Sequence, residues 1–218
     1  GMTKWIRISL NPSSWFANQF VDFYNETYEK KYHFQITTAG VRSVMERIRD
    51  YMGDIGVVYN LSQQKENFLH ELARNKIQFV ALYETDVILY PGRQTEFYDS
   101  EKERVDLEEL EGLRFIQNYQ DEFFDIGATR EDAFQWQDLD ISVLTNSDYI
   151  MERMLKNSKV SNVSGSYLSE NKTGTTPGIP LNMGDSKVIF GYMLRRGEET
   201  DESIQELLAF LISRLPIS

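Results

Sequence analysis

Apolar and polar residues alternate from Trp5 to Leu10, the period-two pattern of a strand with one buried face. Asn11-Pro12-Ser13-Ser14 breaks that pattern and brings side chains that can satisfy the free amides of a helix start. Over residues 15–28 the period becomes helical. Phe16, Phe20, Phe23 and Thr27 share one face, with Ala17, Val21, Tyr24 and Tyr28 beside it. This apolar stripe is wider than a single contact with a sheet requires. A second strand is expected at 34–38. Val41, Val44, Met45, Ile48 and Met52 then mark a second helix, and 54–59 reads as a third, buried strand. Strands and helices in this order imply a parallel sheet with right-handed crossovers.

A polar helix is expected over 63–74. Residues 77–82 and 86–90 are strand-like runs almost end to end, closed by Pro91-Gly92. An extended run of that length can cross from one lobe to another. The stretch 95–111 is acidic, with a helix expected from Asp106. Further strands are expected at 115–118 and 141–145, and helices at 131–137 and 149–157. Residues 158–167 read as a polar strand or turn, and 171–178 as a loop rich in Thr, Gly and Pro. A strand at 188–194 and a helix at 201–215 close the chain, with Ile204, Leu207, Leu208, Leu211 and Leu215 on one helix face. No repeat of solenoid period is present.

The chain of 218 residues is long enough for one large domain or two lobes, each with its own core. Its net charge of −11, with no basic stripe, repels phosphate backbones, so this chain alone is not expected to grip nucleic acid. It has no cysteine, which excludes disulfides, thiolate catalysis and Cys-based metal sites and fits a cytoplasmic protein. No signal peptide is recognisable, and no run approaches the ~20 apolar residues of a membrane span. Neither GxGxxG nor GxxxxGK[ST] occurs. In parallel sheets, ligands bind beyond the carboxyl ends of the strands. Here those ends are 11–14, 37–40 and 59–61, rich in small hydrogen-bonding groups.

Four patches, in order, resemble the effector-binding domain of LysR-type transcriptional regulators. They are Ile6-Arg7-Ile8 leading into Asn11-Pro12-Ser13-Ser14; Val44-Met45-Glu46-Arg47-Ile48 through Gly53-Asp54-Ile55-Gly56-Val57-Val58; Val87-Ile88-Leu89-Tyr90-Pro91 with Val105-Asp106-Leu107-Glu108-Glu109-Leu110 and Phe115-Ile116; and residues 188–195 with the closing helix. Asn157-Ser158 and Ser164-Gly165 depart from the family's Ala-Gly-x-Gly-Ile segment. The resemblance implies an α/β fold of two Rossmann-like lobes joined by two crossover strands, like a type II periplasmic binding protein. Lobe I would hold 1–83 and 187–218, and lobe II 84–186, with hinges near Tyr83-Glu84 and residues 184–187. It also implies a small-molecule effector in the interlobe cleft and an antiparallel homodimer, the helix from Ser14 packing on the partner's helix from Asp148. DNA would be reached only through a helix-turn-helix domain that this chain does not contain. The alternative is a free-standing solute-binding protein of a transport system.

Among candidate ligand-binding residues, Ser13 and Ser14 can present hydroxyls and free amides to a carboxylate, or simply cap the helix. Alternation lets only one of Thr37 and Thr38 face the cleft; the resemblance favours one of them as a ligand contact, and Thr38 is taken as the candidate. Asn118 and Asn146 end strands of the second lobe. Ser164, with Ser166, matches the family's later wall. His33 and His70 are far apart in sequence and read as surface or packing residues. The acidic run from Asp99 to Glu111, with Asp121, Glu122 and Asp125, lacks a calcium-loop pattern and reads as a solvated face. Met151 and Met154 read as core or interface. No cofactor or metal is expected, nor an enzyme. Porphobilinogen deaminase, on the same fold, needs a cysteine, and Thr129-Arg130 is followed by Glu131 where a prephenate dehydratase-like motif needs Phe.

Overall fold

The computed structural model describes residues 4–119, 139–165, 178–185 and 187–216. The first stretch alternates strands and helices: β1 (Trp5–Leu10), α1 (Ser14–Glu26), β2 (His33–Thr38), α2 (Val41–Arg49), β3 (Ile55–Leu61), α3 (Lys65–Arg74) and β4 (Ile77–Thr85). Then come β5 (Val87–Tyr90), β6 (Val105–Asp106), β7 (Arg114–Asn118), β8 (Asp140–Thr145), α4 (Asp148–Asn157), β9 (Val160–Gly165) and β10 (Ile179–Asn182). The chain ends with β11 (Val188–Arg195) and α5 (Glu202–Ser213).

Two sheets result, ordered β2-β1-β3-β11-β4 and β6-β10-β5-β9-β7-β8. In the first, β1 pairs in parallel with β2 and β3, as the strand–helix order implies, while β11 runs antiparallel to β3 and β4. Every residue of β3 is buried, which explains its unbroken apolar run: a central strand is covered on both faces. The cover on one face is α2, whose Val41, Val44, Met45 and Ile48 are buried. It sits so close that a Cβ on Gly56 would stand 2.7 Å from Val44. α1 buries Trp15, Phe16 and Phe23, and Phe23 meets Phe210 of α5 edge-on at 5.4 Å.

The long extended run divides between the sheets. β4 ends at Thr85 in the first and β5 begins at Val87 in the second, with Asp86 alone between them. The return passes from β10 to β11. This is the two-lobed α/β architecture that the resemblance implied.

Local details differ from expectation. The helix expected from Asp106 is a single 3-10 turn, Leu107–Leu110. Asp106 and Glu109 form a reciprocal capping box, but the backbone becomes extended at Glu111 and left-handed at Gly112 (φ 84°). α1 stops at Glu26, where the Thr27 hydroxyl donates back to the Phe23 carbonyl at 2.7 Å. α2 stops at Arg49, before a left-handed Tyr51 (φ 61°), so Met52 leaves the buried stripe. Strands β6 and β10 were not anticipated. The helix expected at 131–137, most of the loop at 171–178, Ser166, Asp121, Glu122 and Asp125 lie outside the described residues.

Candidate functional site

The ends of β1 and β2 meet the middle of β3 on Asn11, which is fully buried. Its amide N–H donates to the Val57 carbonyl, and its side-chain Nδ2 to the Ala39 carbonyl, each at 2.9 Å. Its Oδ1 accepts from the Tyr59 N–H, also at 2.9 Å. One short side chain therefore replaces ladder bonds that the diverging strands can no longer make to each other. The result is a fixed platform at the end of the sheet.

Ser13 stands on this platform. Its Oγ accepts from the Phe16 N–H at 3.1 Å, capping α1, and lies 2.9 Å from the Tyr59 hydroxyl. Tyr59 is itself packed on Phe190, with ring centroids 5.0 Å apart. Ser14 is half-buried at the first position of α1. The two threonines separate as alternation requires. Arg47 of α2 donates to Thr37 Oγ1 at 3.4 Å and to Ser9 Oγ at 3.0 Å, whereas Thr38 is exposed. Because Thr38 is the register partner of Leu10, it stands at the same end of the sheet as Ser13 and Ser14.

Neither α1 nor α2 carries an acidic residue in its first turn. The partial positive charge of both helix starts therefore meets no acidic side chain within its own first turn. Arg42, in the first turn of α2, adds an exposed cation four residues beyond Thr38.

In the second sheet, Asn118 is buried at the end of β7 and pairs in register with Thr145, the last residue of β8. Asn146 is the next residue and is exposed. Ser147 beyond it caps α4 through the Ile150 N–H at 3.2 Å. Ser164 is the penultimate residue of β9, buried opposite Ile88 of β5. The sequence reading missed Gln117, which is also buried. Its amide donates to the Val163 carbonyl and accepts from the Val163 N–H, both at 2.9 Å, so a side chain links β7 to β9 where their backbones part.

His33 lies against Trp5, with ring centroids 5.2 Å apart, and His70 is exposed on α3. Part of the acidic run serves local turns: Glu109 caps Asp106 and pairs with Lys102, and Asp106 accepts from Asn182 at 2.6 Å. These bonds to Lys102 and the Asp106 N–H hold the Glu109 carboxyl below the usual glutamate range. Met151 is buried in α4 with Leu155. Among the described residues there is no cluster of three His, Asp or Glu able to hold a metal, and no helix long and apolar enough to cross a membrane.

No protein-family model and no curated protein sequence matches this chain. Solved structures match it in fold. An OxyR mutant from Porphyromonas gingivalis superimposes with a TM-score of 0.66 at 10% identity, over 98% of this chain and 94% of that one. The effector-binding domain of QuiR in complex with shikimate gives 0.60 at 9% identity, over 97% of each chain. The CcmR regulatory domain of Synechocystis PCC6803 in complex with 2-PG gives 0.62 at 10% identity, over 96% of each. The chain thus has the fold of LysR-type effector-binding domains, as its four sequence patches suggested.

Proposed function

We propose that this chain is the small-molecule sensing domain of a LysR-type transcriptional regulator, that it catalyses no reaction, and that it works in the cytoplasm. The observation that carries the reading is the end-to-end match with sensing domains, two of them solved with small molecules bound. The effector lies between lobe I (1–83 and 187–218) and lobe II (84–186). The change of sheet at Asp86 supports a hinge there.

Ser13, Ser14 and Thr38 line the lobe I side, and Asn118, Asn146 and Ser164 the lobe II side. The two helix starts, neither with an acid in its first turn, and Arg42 favour a carboxylate-bearing effector. The protein works as a homodimer and reaches DNA only through a separate helix-turn-helix domain. The effector shifts the arrangement of lobes or subunits by its differential affinity for the two states.

A thermal-shift screen with small carboxylates, amino acids and aromatic acids tests this. A compound held at 100 times its Kd adds about 2.7 kcal/mol of stability. Ser13→Ala combined with Thr38→Ala is expected to weaken the hit more than tenfold by calorimetry. Unchanged affinity sinks the site assignment, and silence of the whole screen sinks the sensing role.

A further inference from the structure

β3 leads into α3 through a 3-10 turn, Ser62–Gln64. Gln64 is 1% exposed, and neither its Oε1 nor its Nε2 has a hydrogen-bond partner. Asn60, near the end of β3, is also 1% exposed with an unpaired Oδ1. Among the described residues, three of the four buried side-chain atoms lacking a partner thus belong to this corner; the fourth is Oε1 of Gln19. Interior polar groups are almost always paired, so a cluster of unpaired ones asks what is meant to meet them.

The turn before Gln64 is well fixed. The Ser62 N–H donates to the Lys187 carbonyl at 2.8 Å, and the Lys187 N–H donates to Ser62 Oγ at 2.9 Å. After it, α3 is anchored by buried Phe68 and Leu72. The unpaired amide is therefore held by a rigid corner. That corner stands at the same end of the sheet as Ser13 and Thr38, because β1, β2 and β3 run parallel.

We propose that Gln64 is a ligand-recognition residue and that it selects the effector's chemistry. This rests on the sensing role proposed above. An amide needs a donor for its oxygen and an acceptor for its nitrogen. A bare carboxylate offers only acceptors. Gln64 therefore selects a molecule carrying both, a hydroxy acid or a carboxamide, over a simple carboxylate of similar size. A site built to pair such groups rejects analogues that leave it unpaired.

Gln64→Met keeps the length of the side chain and removes both polar atoms. Melting is measured without ligand, and affinities are measured for shikimate (a hydroxy acid), glutamine (a carboxamide) and benzoate (a bare carboxylate). The ligand-free variant is expected to melt at or above the wild-type temperature, because an unpaired amide is gone. Shikimate or glutamine affinity is expected to fall at least tenfold, with benzoate unchanged. A lower melting temperature, or failure to fold, assigns Gln64 to the scaffold and overturns the proposal. So does wild-type affinity for every probe in Gln64→Met. If Ser13→Ala still weakens binding in that case, the sensing site stands and only the role of Gln64 falls. Silence of all three probes with wild-type protein overturns the proposed selectivity.

Discussion

At the scale of single residues, Glu206 shows how a distant pairing sets a response to pH. Its carboxylate accepts from Lys30 Nζ at 2.6 Å and from the Tyr32 hydroxyl at 2.7 Å, tying α5 to the segment that enters β2. Those two bonds, Lys30's first, hold the Glu206 carboxyl below the usual glutamate range. A carboxyl depressed by folding adds stability above its unfolded pKa, about 4.3, and loses it as pH falls through the lower folded value. The melting temperature is therefore expected to drop more steeply below about pH 4 in the wild type than in Glu206→Gln, with the two curves converging in acid. Parallel curves across that window count against the assignment. This pairing was illegible in the sequence because Tyr32 and Glu206 are 174 residues apart. The Ser13 cap was legible because its partner, Phe16, is three residues on. Asn11 lies between these cases: its type and turn position were visible, but not the two other strands it joins.

At the scale of elements, the run from β4 into β5 was readable as a crossover because it is too long and too extended for one strand. What secures it was not readable. Lys187, just before β11, donates to Asp86 Oδ1 at 2.6 Å, so the two crossovers are pinned to each other. Arg104 reaches Asp86 at 3.6 Å and donates to Asn182 Oδ1 at 2.6 Å, joining the clasp from the second sheet's side. All three charged side chains are partly exposed, and such pairs contribute roughly 0.2–1 kcal/mol each. Lys187→Met is accordingly expected to lower global stability by less than about 1 kcal/mol. Amide exchange at 84–88 and 187–190 is expected to rise well beyond that at β1 and β3, measured by mass spectrometry. Equal exchange in all four segments would falsify a hinge role for the clasp. Elements that misled the sequence reading did so for local reasons. Asp106 and Glu109 are the same capping signal for a helix or a single 3-10 turn. β10 is four residues long with Pro180 inside it, too short to show a period.

At the scale of the whole molecule, the over-wide stripe on α1 remains after the core is accounted for. Phe16 and Phe23 are buried, but Val21, Tyr24 and Tyr28 are exposed, as are Trp5 and Ile36 on β1 and β2. β2 is an edge of the first sheet, and Trp5, Phe20, Tyr24, Tyr28, Phe34 and Ile36 help line a cavity of about 700 Å³ beside it. The second sheet has a matching edge: β8 exposes Ile141 and Leu144, and α4 exposes Tyr149 and Ile150. Bare apolar edges invite pairing with another chain. The antiparallel homodimer proposed above would cover both at once, α1 and β2 of each copy meeting α4 and β8 of the other, so each contact would occur twice. The net charge of −11 would oppose this association, so salt that screens the repulsion is expected to strengthen it. Sedimentation velocity is expected to show a dimer that tightens from low to moderate salt. Tyr24→Glu or Tyr149→Glu alone is expected to give a folded monomer with unchanged far-ultraviolet dichroism, because either change damages both copies of the contact. A wild-type monomer at every salt concentration, or a dimer that ignores both substitutions, leaves these edges without a partner and the proposed assembly without support.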